Sequence, residues 1–105
     1  MKHYSPRARL MVYAWKDDED LRMQLGRQYS PEKTHIIAHT RIPSGEPFAG
    51  VSVIPHDPEA FARAIYAELH RCDEAGAELI VVEDIPKTSE WRAIGDRLKR
   101  AATES

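Results

Sequence analysis

Apolar and polar positions alternate along this chain in blocks, and the period of the blocks switches between that of a strand and that of a helix. Arg9 to Trp15 (RLMVYAW) is an apolar run after Pro6 and predicts a buried strand. An acidic cluster follows, Lys16-Asp17-Asp18-Glu19-Asp20, and then Leu21, Leu25 and Tyr29 recur every four residues. That spacing places them on one helical face, with the acids at the helix N-terminus where the dipole favours negative charge. Ser30-Pro31 is the predicted stop. Thr34 to Thr40 reads as a second strand and Val51 to Ile54 as a third. Between them Arg41 to Gly50 carries Pro43, Gly45, Pro47 and Gly50, a loop by composition. That loop is too short for a helical crossover, so the second and third strands are expected to be antiparallel neighbours or not neighbours at all.

The clearest helix begins at Asp57, an N-cap followed by Pro58 at the first helical position and Glu59 in the first turn. Phe61, Ile65, Leu69 and Cys72 form its apolar stripe, and Gly76 is a natural C-cap. Leu79-Ile80-Val81-Val82 is apolar at every position, the pattern of an interior strand covered on both faces. After Pro86, Thr88 or Ser89 caps a last helix whose buried side is Trp91, Ile94 and Leu98, and Ala101 to Ser105 is expected to fray.

Strand, helix, strand, strand, helix, strand, helix is the order of a Rossmann-like, three-layer α/β sandwich. It predicts a mainly parallel sheet of about four strands with three helices. Residues 9–105 form one domain, and residues 1–8 a linker-like N-terminal arm. Leu10, Val12, Ile37, Val53, Phe61, Ile65, Leu69, Ile80, Val82, Ile94 and Leu98 are the expected buried positions.

The 105 residues suffice for one core and not for two. A hydrophobic share of 42% with 30% charged residues excludes a disordered chain, and a net charge of -2 argues against blanket neutralisation of phosphates. Direct nucleic-acid binding is therefore not expected. The basic residues Arg92, Arg97, Lys99 and Arg100 complement the dipole of the last helix, an account preferred to a tRNA-binding patch. Apolar runs fall short of a membrane span and the first residues lack a signal-peptide core, so no membrane partner and a cytoplasmic location are expected.

The single cysteine, Cys72, rules out an internal disulfide, and together with scattered histidines it predicts no structural metal and no cofactor. Cys72 continues an apolar stripe and reads as a small buried hydrophobe. His35 and His39 stand four apart in a strand, too far for one ion, and read as partly exposed residues on the solvent side of an edge strand. The acids Asp17 to Asp20 lack the ligand order and glycine of a calcium loop. Neither phosphate-binding glycine pattern occurs. Glu83 and Asp84 end the most buried strand, and ligands of open α/β sheets gather at the carboxyl ends of strands, so these two are the ligand candidates. No catalytic constellation of nucleophile and base is found, and no catalytic residue is assigned.

Four segments together carry a family resemblance. Phe61 to Asp73 has Ala62, Arg63, Tyr66, Leu69 and Asp73 in matching places, with Ile65 close. Leu79 to Glu83 is an apolar strand ending in an acid, followed by Pro86. Ala93 to Ala102 (AIGDRLKRAA) resembles a closing helix with a basic pair and Ala-Ala, and His3-Tyr4-Ser5-Pro6-Arg7-Ala8 resembles an H-Y-[AS]-P-[RK] linker. With these the chain resembles the C-terminal domain of the two-domain threonylcarbamoyl-AMP synthases. The family's YrdC-type catalytic half, which binds ATP, threonine and bicarbonate, has no counterpart in the sequence. Its glycine-rich turn before the last helix is replaced by Thr88-Ser89-Glu90-Trp91.

The resemblance implies a non-catalytic accessory or regulatory domain for tRNA threonylcarbamoyladenosine modification, acting on a YrdC-type catalytic partner in trans. His3, Tyr4, Pro6 and Arg7 would then be interface residues. The alternative is a small-ligand sensor of Rossmann-like fold, holding a nucleotide or amino acid near Glu83 and Asp84.

Overall fold

The computed structural model describes residues 7–27, 29–44 and 47–104. In chain order the elements are β1 (Arg9–Tyr13), α1 (Asp18–Leu25), β2 (Thr34–Ala38), β3 (Gly50–Val53), α2 (Pro58–Glu74), β4 (Leu79–Glu83) and α3 (Arg92–Glu104). Short 3-10 turns, Pro31–Lys33 and Ser89–Trp91, lead into β2 and α3. The four strands form one sheet in the order β1-β4-β2-β3, and every pairing is parallel. The α/β class, the four strands and the three helices are those expected.

Alternation along the strands divides the core into two faces. Ile80 and Val82 of β4, Ile37 of β2 and Leu10 of β1 pack under α2 and α3, against Phe61, Ile65, Leu69, Cys72, Ile94 and Leu98. Leu79, Val81, Ile36 and Ala38 point to the other face, covered by Leu21 of α1, Trp15 and Phe48. β4 is interior and buried at all five positions, as its uninterrupted apolar run requires. Local signals set the helix limits. Asp57 accepts from the Ala60 N–H at 3.0 Å, and Asp17 from the Asp20 N–H at 2.8 Å. The turn after α2 passes through Gly76 at φ 89°, where an L side chain would be strained.

The structure corrects several expectations. β2 and β3 are parallel neighbours, with His35 opposite Gly50 and Ala38 opposite Val53. The connection, residues 39–49, returns without a helix. A chain extended at about 3.3 Å per residue needs few residues to retrace so short a strand. Phe48, buried in this connection, supplies the apolar cover a crossover helix would bring. Val53 is 57% exposed, because it ends an edge strand on the α1 face. Val12 is only half-buried, on the opposite edge. β1 stops at Tyr13, so Trp15 is buried outside the strand. α1 stops at Leu25, where Gly26 takes φ 65°, and Tyr29 lies beyond it. Among the described residues no helix is long and apolar enough to cross a membrane.

Candidate functional site

The carboxyl end of the sheet holds the predicted ligand pair, and the two acids have different surroundings. Glu83 is buried. Its carboxylate accepts the backbone N–H of His39 at 2.9 Å, of Thr40 at 2.9 Å and of Arg41 at 3.2 Å, and the Thr40 hydroxyl as well. Three successive backbone N–H groups converging on one anion form the kind of concavity that binds phosphates elsewhere. Here the chain's own side chain occupies it. Burial pushes the Glu83 carboxyl up, but the donors from His39 and Thr40 outweigh it and hold the pKa below the usual value. The turn is clamped further from the segment after β1: the Trp15 indole donates to the Arg41 carbonyl at 2.9 Å, and the Arg41 guanidinium to the Trp15 carbonyl at 3.0 Å. Asp84 is half-buried, accepts from the Ile85 N–H and pairs with Lys87 at 3.1 Å.

His39 lies on the α2 face of the same end. Its Nε2 stands 3.1 and 3.0 Å from the carbonyl oxygens of Glu83 and Asp84, pure acceptors, so Nε2 carries the proton. In the neutral ring Nδ1 then accepts from His56 Nδ1 at 2.8 Å. The two imidazoles meet edge to edge through this bond, with centroids 4.9 Å and planes 8° apart, and Phe61 and Trp91 close the cluster. Trp91, standing where the resembling family has a glycine-rich turn, is what fills this end of the core.

A second polar group lies at the other end of β2. His35, on interior strand β2, and His39, just beyond its end, are both buried on the α2 side, and not on an exposed edge as expected. Exposed edges belong to β1 and β3; the helix-facing side of β2 is roofed by α2. His35 Nε2 lies 2.9 Å from Ser52 Oγ. Arg71 donates to the same hydroxyl at 2.7 Å and to Glu68 at 2.8 Å. Burial and then the Arg71 charge push the His35 pKa down, while the bond from Arg71 holds that of Glu68 down. Cys72, one turn after Glu68, is buried as expected, and burial pushes its thiol up to about 12. His35, Glu68 and Cys72 each offer one ligand atom, and the three atoms lie within 4.8 Å of one another. Only Glu68 and Cys72 had a legible relation, the i, i+4 spacing of one helix face. Nothing local to the sequence pairs them with His35.

Between β1, the turn after β4 and α3 runs an open groove of about 710 Å³, lined by Tyr13, Asp84, Lys87, Trp91, Arg92 and Asp96 among others. Of the arm residues, His3, Tyr4 and Pro6 lie outside the described residues, and Arg7 is exposed. Ala8 is buried, and its N–H donates to Asp73 Oδ1 at 2.9 Å. The closing acid of the α2 motif therefore ties down the start of β1. Phe61, Ile65 and Leu69 of the same motif are core, and Tyr66 packs against them.

Searches of curated proteins and of solved structures each found no match. A protein-family model described as "Threonylcarbamoyl-AMP synthase, C-terminal domain" matches residues 1–103. That span takes in all four strands, both buried polar clusters and the arm, and with it the chain belongs to the family of threonylcarbamoyl-AMP synthase C-terminal domains.

Proposed function

We propose that this domain is a non-catalytic accessory or regulatory module of tRNA threonylcarbamoyladenosine modification, acting on a YrdC-type catalytic domain. Family membership across residues 1–103 is the observation that carries the reading. The filled anion concavity supports it: the three N–H groups at the carboxyl end of β2 are committed to Glu83, so a phosphate would have to displace an internal carboxylate. The arm is the docking element. Ser5-Pro6 favours an extended backbone, and Tyr4 is an aromatic with a polar tip, suited to lie on another protein.

The test is reconstitution. Purified chain is mixed with a YrdC-type catalytic domain, and binding is followed by calorimetry and threonylcarbamoyl-AMP formation by chromatography. The expected result is a complex, a changed rate of adenylate formation, and no product from the chain alone. Deleting residues 1–6 should weaken binding while leaving the melting temperature nearly unchanged. A chain that neither binds nor alters the rate, or that forms the adenylate itself, contradicts the proposal.

The groove beside α3 favours one second reading, a sensor of a nucleotide or amino acid. Its volume is that of a small-molecule site, with charges of both signs at its rim. Thermal shifts with ATP, AMP and threonine test it; no shift at millimolar ligand removes it.

A further inference from the structure

The cluster of His35, Glu68 and Cys72 sits beneath α2, away from the carboxyl end of the sheet, and the accessory role proposed above makes no use of it. Imidazole, carboxylate and thiol converge there from a strand and one face of a helix. His35 and Cys72 are buried, while Glu68 reaches the surface with its side chain 23% exposed. Ordinary core packing accounts for Cys72. It gives no reason for a histidine and an acid to be placed around it.

We propose that these three side chains bind one zinc-class divalent ion. Nitrogen, oxygen and sulfur donors together suit zinc and its borderline neighbours and disfavour magnesium and calcium, which take oxygen. Donors held 2.0–2.3 Å from a tetrahedral ion stand roughly 3.3–3.7 Å apart. With the His35 ring held at Ser52, a cluster already within 4.8 Å closes toward that spacing by rotation of the Glu68 and Cys72 side chains. Three protein ligands leave the fourth position to water, reached from the Glu68 side. When the ion binds, the metal–sulfur bond forms and the thiol proton leaves to solvent.

Three neighbours shape the site. Gly50 makes room for the imidazole, since a Cβ there would stand 2.7 Å from His35 Cε1. Ser52 Oγ, 2.9 Å from His35 Nε2, holds the ring's orientation. Arg71 is the third. Its guanidinium is already the cation on Glu68 and Ser52, and its side chain is 58% exposed. A long, half-exposed arm can swing into water as the ion arrives, so that one cation replaces another beside Glu68. Binding would tie α2 to β2 and stabilise the folded chain by mass action. This inference stands apart from the accessory role, and either can fail alone.

The experiment uses the whole chain, stripped with chelator, folded by circular dichroism, and titrated with Co(II). The expected result is binding of one ion per chain, with intense tetrahedral ligand-field bands and a near-ultraviolet thiolate charge-transfer band, all bleached by one equivalent of Zn(II). Cys72→Ser should abolish the charge-transfer band. Ser52→Ala should weaken binding by roughly 10- to 100-fold. Arg71→Ala should tighten it. Glu68→Gln, a near-isosteric change at a half-buried position, should weaken binding and remove the rise in melting temperature that Zn(II) gives the parent. A folded parent chain with no thiolate–cobalt band, a band unchanged in Cys72→Ser, or affinity unchanged in Glu68→Gln overturns the proposal. Should Cys72→Ser fail to fold, the Glu68→Gln result decides.

Discussion

The imidazole of His35 lies so close to the Cα of Gly50 that a Cβ on that residue would stand 2.7 Å from its Cε1 and 3.0 Å from its Nδ1. The two residues are register partners on neighbouring parallel strands. The ring cannot yield easily, because it is buried beneath α2 and held at Ser52. Gly50→Ala is therefore expected to destabilise the domain by about 1–3 kcal/mol, the usual cost of forcing atoms into a packed site. Urea unfolding followed by circular dichroism measures it. A neutral substitution would mean that the ring has somewhere else to go.

Glu83→Ala leaves the N–H groups of His39, Thr40 and Arg41 without their carboxylate. A loss of about 3 kcal/mol is expected, on the scale of stranding buried donors. A change near zero would show that water replaces the carboxylate without penalty.

The acid limb of stability follows from groups with lowered pKa. Glu83 is held below its ordinary value, so its contribution is complete above that value and is lost as pH falls through the folded one. His35 is also lowered, by burial first. Below its ordinary value of 6.5 the unfolded chain takes a proton that the folded ring refuses, so stability falls as pH drops from 6.5 toward the folded pKa. Urea midpoints should decline from neutral pH downward. In Glu83→Gln the decline below about pH 5 should be shallower than in the parent. Parallel profiles would contradict the assignment of the acid limb to Glu83.

Cys72 is fully buried, and its thiol is pushed up to about 12. In metal-free native protein a thiol reagent should react only at the rate of opening, and in urea it should titrate one thiol per chain at once. Rapid labelling of the native state would place the thiol at the surface.

Trp91 is 5% exposed and packs edge-on against Phe61 with centroids 5.3 Å apart. Trp91→Ala should cost about 3–5 kcal/mol, whereas Trp91→Phe, which keeps a ring against Phe61, should cost much less. Equal losses for the two would show that a phenyl ring against Phe61 recovers none of the packing.

What the sequence determined by itself was local. The stripe Phe61, Ile65, Leu69 and Cys72 marked the buried face of α2, and Asp57 and Gly76 marked its ends, because caps and helical faces depend on residues within one turn. The run Leu79 to Val82 declared an interior strand, because only a strand covered on both faces is apolar at every position. Ligand candidacy at Glu83 was legible from its place at the end of that strand. That its oxygens meet three N–H groups of the turn after β2 was not, since those donors come from distant chain. Tertiary structure alone decided that β2 and β3 run parallel, with Phe48 in place of a crossover helix, and hence that His35 and His39 are roofed by α2 and not exposed on an edge. The same pairing brought His35 to Glu68 and Cys72. A period records which side of its own element a residue faces; which partner waits there depends on strand order, and strand order is set by how the whole sheet buries its two faces.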